Sequence, residues 1–440
     1  MKEKTMNYTN KNYFQLFKNS DVTIIGLGVS NKPLLQKLLD SQVNVTVRDK
    51  RKDIDRTGLD DVNFYLGDNY LEGLSGDIIF RTPGLRPDHP SLLKAKAGGS
   101  QVTSEVNELL SICPCPVIGI TGSDGKTTTT SLISEILKLS GYTVHLGGNI
   151  GIPLLTRVDN IDRNDIVVLE LSSFQLIDMT CSPSVSVITN ITPNHLDWHL
   201  NIDEYIEAKS VVLKHQKKKD TAVLNADNII TASMKGNGNT VYFGKQRILS
   251  EKIDGIFDIS KIQLKGYYQI ENCLAAITAV TGLASYETIK ESLYSFKGVP
   301  HRNEYVTSIN GVSFYNNSIG TTPARTIATL KAHDRKVILI AGGRSKNIPF
   351  DDLCNAFPDH VKALILIGEA ASDISNCTKS IVNTPSVTCC NNMEDAVYYA
   401  YSIARPGDIV LLSPACSSYD VYNNFEERGN HFIRIVESLY

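Results

Sequence analysis

Short apolar runs of four or five residues recur along the chain, each leading into a glycine- or serine-rich stretch and then into a helical spacing of apolar positions. The first covers 21–25 and leads into Gly26-Leu27-Gly28-Val29-Ser30-Asn31, after which Leu34, Leu35, Leu38 and Leu39 share a helix face. A strand over 43–47 follows and ends at Arg48-Asp49, and another over 77–80 ends at Arg81-Thr82-Pro83-Gly84. Residues 102–110 predict a short helix, and 113–116 the exit from this first unit. Next come a strand candidate at Pro116-Val117-Ile118, a glycine loop, and a helix whose stripe is Leu132, Ile133, Ile136 and Leu137, with Gly141 as its stop. Strands over 165–169 and 184–188 follow, then helices over 203–216 and 272–283. A linker is expected at Phe296-Lys297-Gly298-Val299-Pro300-His301-Arg302. Strands over 337–341, 363–367 and 409–412 then each run into a small-residue loop. Strands alternating with helices predict an α/β fold with parallel sheets. The expected domains are a Rossmann-like one over 1–112, a central P-loop ATPase-type one with a mostly parallel sheet over 113–299, and a C-terminal Rossmann-like one over 300–440.

Composition narrows the picture without changing it. The chain has 440 residues, enough for about three domains. With 44 basic against 47 acidic residues and a net charge of −3, nothing favours non-specific nucleic-acid binding. The nine cysteines show no metal-binding spacing, which suits a reducing cytoplasm. No run approaches membrane-span length, and residues 1–19 lack the apolar core of a signal peptide. A cytoplasmic monomer with no membrane or nucleic-acid partner is expected.

The chemistry is concentrated in the strand-end loops. Thr121-Gly122-Ser123-Asp124-Gly125-Lys126-Thr127-Thr128, between a strand and a helix, forms a phosphate-binding loop. Its glycines let backbone N–H groups surround phosphate oxygens, Lys126 adds charge, Thr127 offers a hydroxyl to Mg²⁺, and the helix start adds a positive dipole end. Ile120 occupies the usual first glycine position. Gly26-Leu27-Gly28 with Asp49 about twenty residues on indicates a nucleotide-like ligand, or else a turn used for packing, since Asn31 replaces the third glycine. Glu170 at a strand end is placed to hold Mg²⁺, or is a solvated charge. His195, beside Asp197 and after a strand, is a plausible site residue. Lys209 falls in the apolar stripe of its helix, between Tyr205 and Val212. Spacing alone favours a snorkelling lysine; a buried one would have a depressed pKa and could form a carbamate with CO₂.

These stretches, together with Gly147-Gly148-Asn149-Ile150-Gly151, Glu170-Leu171-Ser172-Ser173-Phe174-Gln175, His301-Arg302 and the run from Leu412-Ser413-Pro414 through Phe425 to Gly429, resemble the Mur ligase family. The resemblance implies an ATP-dependent amide ligase of peptidoglycan synthesis. It would add glutamate, expected as the D form, to UDP-N-acetylmuramoyl-L-alanine through an acyl phosphate. It further implies ATP on Gly122, Ser123, Asp124, Gly125, Lys126, Thr127, Thr128, Asn272 and Arg302. Mg²⁺ would lie at Thr127, Glu170, His195 and a carbamylated Lys209, and the catalytic set would be Lys126, Glu170, His195 and Lys209. The UDP part would lie on Gly28, Ser30, Asp49, Lys50, Thr82 and Gly84. The muramoyl-alanine path would be lined by Asn149, Ser172 and Gln175, and glutamate would meet Lys346, Ser418 and Phe425. The chain departs from the family pattern at Asn317, Ile319, Tyr268-Gln269 and Arg344. Other readings are a related Mur-type or folylpolyglutamate ligase, a switch ATPase, and an NAD oxidoreductase built on the first unit.

Overall fold

The structure, a computed structural model, describes residues 10–196, 198–244, 258, 261–262, 264, 267–346 and 348–439. It contains three sheets. The chain forms two compact units, 1–296 and 297–440, so it divides three residues before the expected boundary at 299/300.

The first sheet comprises β1 (Asp21–Ile25), β2 (Asn44–Asp49), β3 (Asn63–Leu66), β4 (Ile78–Phe80) and β5 (Gln101–Thr103), in the order β3-β2-β1-β4-β5. Every pairing is parallel. The order reverses between β1 and β4, where a ligand crevice is expected at the carboxyl ends of such strands. Gly26, with φ of 78°, lets the loop after β1 approach the loop after β4. A side chain there would put its Cβ 2.9 Å from Thr82 Cβ. The helix expected over 102–110 instead spans Glu105–Ile112. Val102 pairs with Ile79 in the sheet, and Ser104 caps the helix by accepting from the Asn107 N–H. A β-branched residue before a cap belongs to the strand side of that boundary.

The second sheet comprises β6 (Val117–Thr121), β7 (Val144–Gly148), β8 (Ile166–Glu170), β9 (Val185–Ile188), β10 (Thr221–Asn225) and β11 (Asn239–Phe243). It is parallel throughout, in the order β11-β10-β9-β6-β8-β7. Central β6 is buried along its length, which explains its unbroken apolar run. The phosphate-type loop follows β6 directly, and the helix Lys126–Leu139 buries Leu132, Ile133, Ile136 and Leu137. The helix expected over 272–283 begins earlier, at Tyr267, and stops at Ala279 ahead of a turn at Gly282 with φ of 82°. The helix expected over 203–216 spans Ile202–Lys214.

The first two sheets share a core. One buried cluster runs from Val22, Leu34 and Phe80 of the first to Val117, Leu169 and Leu224 of the second, with Leu154, Leu155 and Val158 in the same cluster.

The second unit holds β12 (Glu304–Ile309), β13 (Val312–Asn316), β14 (Val337–Gly342), β15 (Val361–Ile367), β16 (Ser386–Cys389) and β17 (Ile409–Leu412), in the order β12-β13-β17-β14-β15-β16. Only the edge pair β12–β13 is antiparallel. Alternate residues feed two cores. Ile338, Ile340, Val410 and Leu412 face one, and Val337, Leu339, Ile409 and Leu411 the other. The switch point lies between β14 and β17, so Gly342-Gly343 and Ser413 to Ser418 share one end of the sheet. No helix among the described residues is long and apolar enough to cross a membrane.

Candidate active site

The loop after β6 is braced from several sides. Ser123 Oγ meets the Tyr205 hydroxyl at 2.9 Å, donates to the Thr192 carbonyl and accepts from the Thr192 N–H. The Asp124 N–H donates to Asn190 Oδ1, and the Thr189 hydroxyl donates to the Asp124 carbonyl. Gly125 has φ of 79°, and a Cβ there would lie 2.0 Å from Asn272 Oδ1. Asn272 therefore sits directly over the loop, with the buried Thr127 and Thr128 opening the helix behind it. This brings together every nucleotide candidate of the first unit. Arg302 belongs to the second unit and is exposed there.

Two lysines converge on one carbonyl. Lys126 Nζ donates to the Gly122 and Ser123 carbonyls, at 2.9 and 2.8 Å. Lys209 Nζ donates to the same Gly122 carbonyl at 2.7 Å and lies 4.7 Å from the Tyr205 ring centroid. Lys209 is 1% exposed, so it does not snorkel as its spacing had favoured. Burial, and then the neighbouring charge of Lys126, push its ammonium well below the ordinary lysine range. The helix stripe is continuous enough to carry the side chain inward, and the strand-end carbonyl gives it an acceptor.

Glu170 ends β8 and is also 1% exposed. Its Oε1 accepts from Asn149 Nδ2 at 2.7 Å, while its buried Oε2 has no hydrogen-bond partner among the described residues. An orphaned buried carboxylate oxygen is costly, and a hard cation, which takes carboxylate oxygen ligands, satisfies one. The donor set therefore fits Mg²⁺. Among the described residues no three His, Cys, Asp or Glu side chains group as a metal cluster, so such an ion also needs other groups, such as the Thr127 hydroxyl. His195 is exposed, with left-handed φ of 54°, and its ring meets Phe174 edge-on at 5.0 Å. Asp197 lies outside the described residues. Ser172 and Gln175 form a capping box on the helix Ser173–Leu176, where Gln175 Oε1 accepts from the Ser172 N–H and hydroxyl.

At the first switch point, Gly28 and Gly84 are exposed and a Cβ at either would meet open space. Ser30 precedes the helix Asn31–Asp40, Lys50 is exposed, and Thr82 is half-buried against Gly26. Asp49 braces the loop. Its Oδ2 accepts from the Leu27 N–H at 2.7 Å, and Arg51 grips both oxygens. Burial alone would raise the Asp49 pKa, but the Arg51 and Leu27 hydrogen bonds hold it below the usual carboxylate range.

The residue that joins this loop to the second sheet was invisible in the sequence. Arg81 is fully buried, donates to the Thr82, Pro83 and Leu85 carbonyls, and pairs with Asp178 97 residues away. Its only sequence signal is its place at a strand end.

In the second unit, Lys346, Ser418 and Phe425 line one open cleft of ≈ 270 Å³ with Ile319, Thr321 and Arg325. Lys346 Nζ donates to the Thr321 hydroxyl at 3.0 Å. Behind the cleft, buried Arg428 donates to Ser318 and to the Cys416 and Ser417 carbonyls. Asn317 is buried and bonded to Ser413, Thr329 and the Asn303 N–H, so it serves the wall. Ile319 lines the cleft itself, and Arg344 is exposed and paired with Glu369. The Tyr268 side chain lies outside the described residues; Gln269 Oε1 accepts from Asn272 Nδ2.

Comparison with known proteins identifies the family. Residues 120–280 match the Mur ligase middle domain, and 301–416 match the Mur ligase, glutamate ligase domain. A UDP-N-acetylmuramoylalanine--D-glutamate ligase of Clostridium tetani is 42% identical over 460 residues, covering 99% of this chain and 100% of its own. One of Ruminiclostridium cellulolyticum is 44% identical, covering 96% and 97%. Among solved structures, the fold is similar to a MurF ligase from Thermotoga maritima in complex with ADP (TM-score 0.54, 18% identity, 97% of each chain). It is also similar to the UDP-N-acetylmuramate-alanine ligase MurC from the same organism (TM-score 0.53, 16% identity, 96% and 100%). With two domain matches in series and full-length relatives above 40% identity, the chain belongs to the Mur ligase family.

Proposed function

We infer that this protein is an ATP-dependent ligase that joins D-glutamate to the alanyl carboxylate of UDP-N-acetylmuramoyl-L-alanine, a step of peptidoglycan precursor synthesis. The observation that carries the reading is the likeness of the whole chain to relatives bearing that activity in their names. In this reading the γ-phosphoryl of ATP passes to the carboxylate, giving an acyl phosphate and ADP. The glutamate amine then attacks the acyl carbon, and phosphate leaves from the tetrahedral intermediate. Both steps bring anions together, so fixed positive charge and oriented N–H donors carry most of the catalysis.

The residues take their parts accordingly. Gly122 to Thr128 cradle the phosphates, with Lys126 turning from the Gly122 carbonyl to the transferring group, and Asn272 and Arg302 serve the nucleotide. Thr127, Glu170, His195 and carbamylated Lys209 would hold Mg²⁺, which when bound offsets charge between ATP and the acceptor carboxylate. The unpartnered Glu170 Oε2 supports that assignment. Gly28, Ser30, Asp49, Lys50, Thr82 and Gly84 would take the UDP part. Asn149, Ser172 and Gln175 would border the muramoyl-alanine. Lys346, Ser418 and Phe425 would orient glutamate. We place the enzyme in the cytoplasm as a monomer built of three functional domains, 1–112, 113–299 and 300–440.

The test is phosphate release in the presence of ATP and Mg²⁺. Release is expected only when UDP-N-acetylmuramoyl-L-alanine and D-glutamate are both present, and not with L-glutamate. Equal release from ATP alone would replace this reading with a switch ATPase.

A further inference from the structure

The loop Thr82 to Arg86, after the first sheet's β4, and the residues His195, Trp198, His199 and Leu200, after the second sheet's β9, are clasped together. Trp198 Nε1 donates to the Gly84 carbonyl at 3.1 Å. Arg86 Nη1 returns a bond to the Trp198 carbonyl at 2.8 Å, and the guanidinium lies 5.0 Å from the indole centroid. Arg86 also grips Glu204 with both terminal nitrogens, at 3.0 and 2.8 Å, and Asp88 completes its neighbourhood. Glu204 Oε2 in turn accepts from the Leu200 N–H and meets His199 Nδ1, whose Nε2 reaches the buried Ser173 hydroxyl. The turn itself depends on this support. His195 holds a left-handed backbone, and its carbonyl accepts the N–H groups of both Trp198 and His199. A non-glycine residue in that conformation persists only where its surroundings over-determine it.

We propose that Arg86 and Trp198 are positioning residues that transmit occupancy of the uridine-nucleotide loop at Gly84 to the setting of His195. The proposal rests on the function inferred above, because it takes Gly84 as a contact of the UDP part and His195 as part of the phosphoryl-transfer site. Neither clasp residue touches a reacting atom. Arg86 fixes the turn through a bidentate pair, for which lysine is no substitute in geometry. Trp198 adds the only side-chain bond from the turn to the Gly84 carbonyl among the described residues. The clasp gives binding on the first sheet a route through the protein to the chemistry on the second, beside the substrate that reaches both.

Trp198 is the only tryptophan of the chain, so its emission reports the clasp directly. The experiment compares full-length wild type with Arg86→Gln, Arg86→Lys and Trp198→Phe. It measures kcat, KM for each substrate, the thermal midpoint, and emission during titration with UDP-N-acetylmuramoyl-L-alanine without ATP. The expected results are a saturable emission change in wild type and its loss in Arg86→Gln. Turnover in Arg86→Gln and Trp198→Phe is expected to fall by about ten- to a hundredfold, as sub-ångström to ångström misplacement of a reacting group does. KM for glutamate should stay within about twofold, and Arg86→Lys should recover part of the loss. Wild-type-like turnover in folded Arg86→Gln and Trp198→Phe would overturn the proposal while leaving the ligase reading intact. So would an emission that ignores saturating UDP-N-acetylmuramoyl-L-alanine. A wild type that turns over no substrate would overturn both. If Arg86→Gln does not fold, Trp198→Phe with a wild-type thermal midpoint decides, since phenylalanine keeps an aromatic ring there and removes the indole N–H that donates to Gly84.

Discussion

Lys209 is where burial decides chemistry. A lysine ammonium 1% exposed, sharing the Gly122 carbonyl with Lys126, is pushed toward its neutral form. A neutral amine adds CO₂ and releases a proton, which turns a cationic side chain into an anion beside Glu170. Lys209→Arg keeps the charge but cannot make this change, because guanidinium stays positive. That variant is expected to lose activity by at least about a hundredfold, the scale of one lost electrostatic contact at a transition state. Lys209→Ala should be as inactive and should regain turnover in millimolar acetate or propionate, which can enter the vacated space as an anion. A fully active Lys209→Arg would rule the carbamate out. At this scale the sequence was ambiguous, because helical spacing places Lys209 in the stripe without saying how deep the stripe lies. Only the tertiary burial of the helix face that carries Tyr205, Lys209 and Val212 fixes the depth.

At the level of elements, what local pattern controls was legible and what distant contacts control was not. β1, the β6 loop and helix, and β17 follow from apolar runs and glycine punctuation within a few residues. Val102 was misread because a short edge strand and a helix start look alike without knowing that Ile79 lies alongside. Arg86 and Trp198 carried no signal, and Arg81 only its place at a strand end, because their partners lie roughly a hundred residues away in sequence. Such long pairs leave a measurable trace in the acid stability of the element they anchor. Hydrogen bonds from Arg86 lower the Glu204 pKa from the usual 4.5 to about 2. Glu204 is then charged in both folded and unfolded chains above pH 4.5. As the pH falls from there toward 2, the unfolded chain takes up the proton first, and stability declines. Glu204→Gln removes that contribution. Its urea midpoint should be lower than wild type at pH 5, with the gap narrowing by pH 3. Parallel midpoints across that range would refute the ion pair's role at the N-terminal turn of the helix Ile202–Lys214.

For the whole molecule, the division of the cores sets what can fold alone. The second unit owns both clusters that flank its sheet. The fragment 297–440, expressed by itself, should give a cooperative thermal melt. The fragment 113–296 should not, because removing 1–112 strips the partners of Val117, Leu154, Leu155 and Leu169 and bares a wide apolar face. Calorimetry of the two fragments checks this, and a sharp transition in 113–296 would mean that the shared core is dispensable. The three-sheet plan was readable from the alternation of strand and helix, whereas the fusion of the first two sheets was not. Apolar strand residues look the same whether they face their own helices or a neighbouring sheet. The cleft bearing Lys346, Ser418 and Phe425 has an evolutionary consequence, since all of its lining residues come from one contiguous third of the gene. On the reading proposed above, in which this cleft orients glutamate, a change in the amino acid accepted can be inherited by recombining that stretch alone, with the phosphate loop and its lysines left untouched in the other parent. Chimaeras joined near codon 296 should therefore exchange amino-acid preference as a single genetic trait.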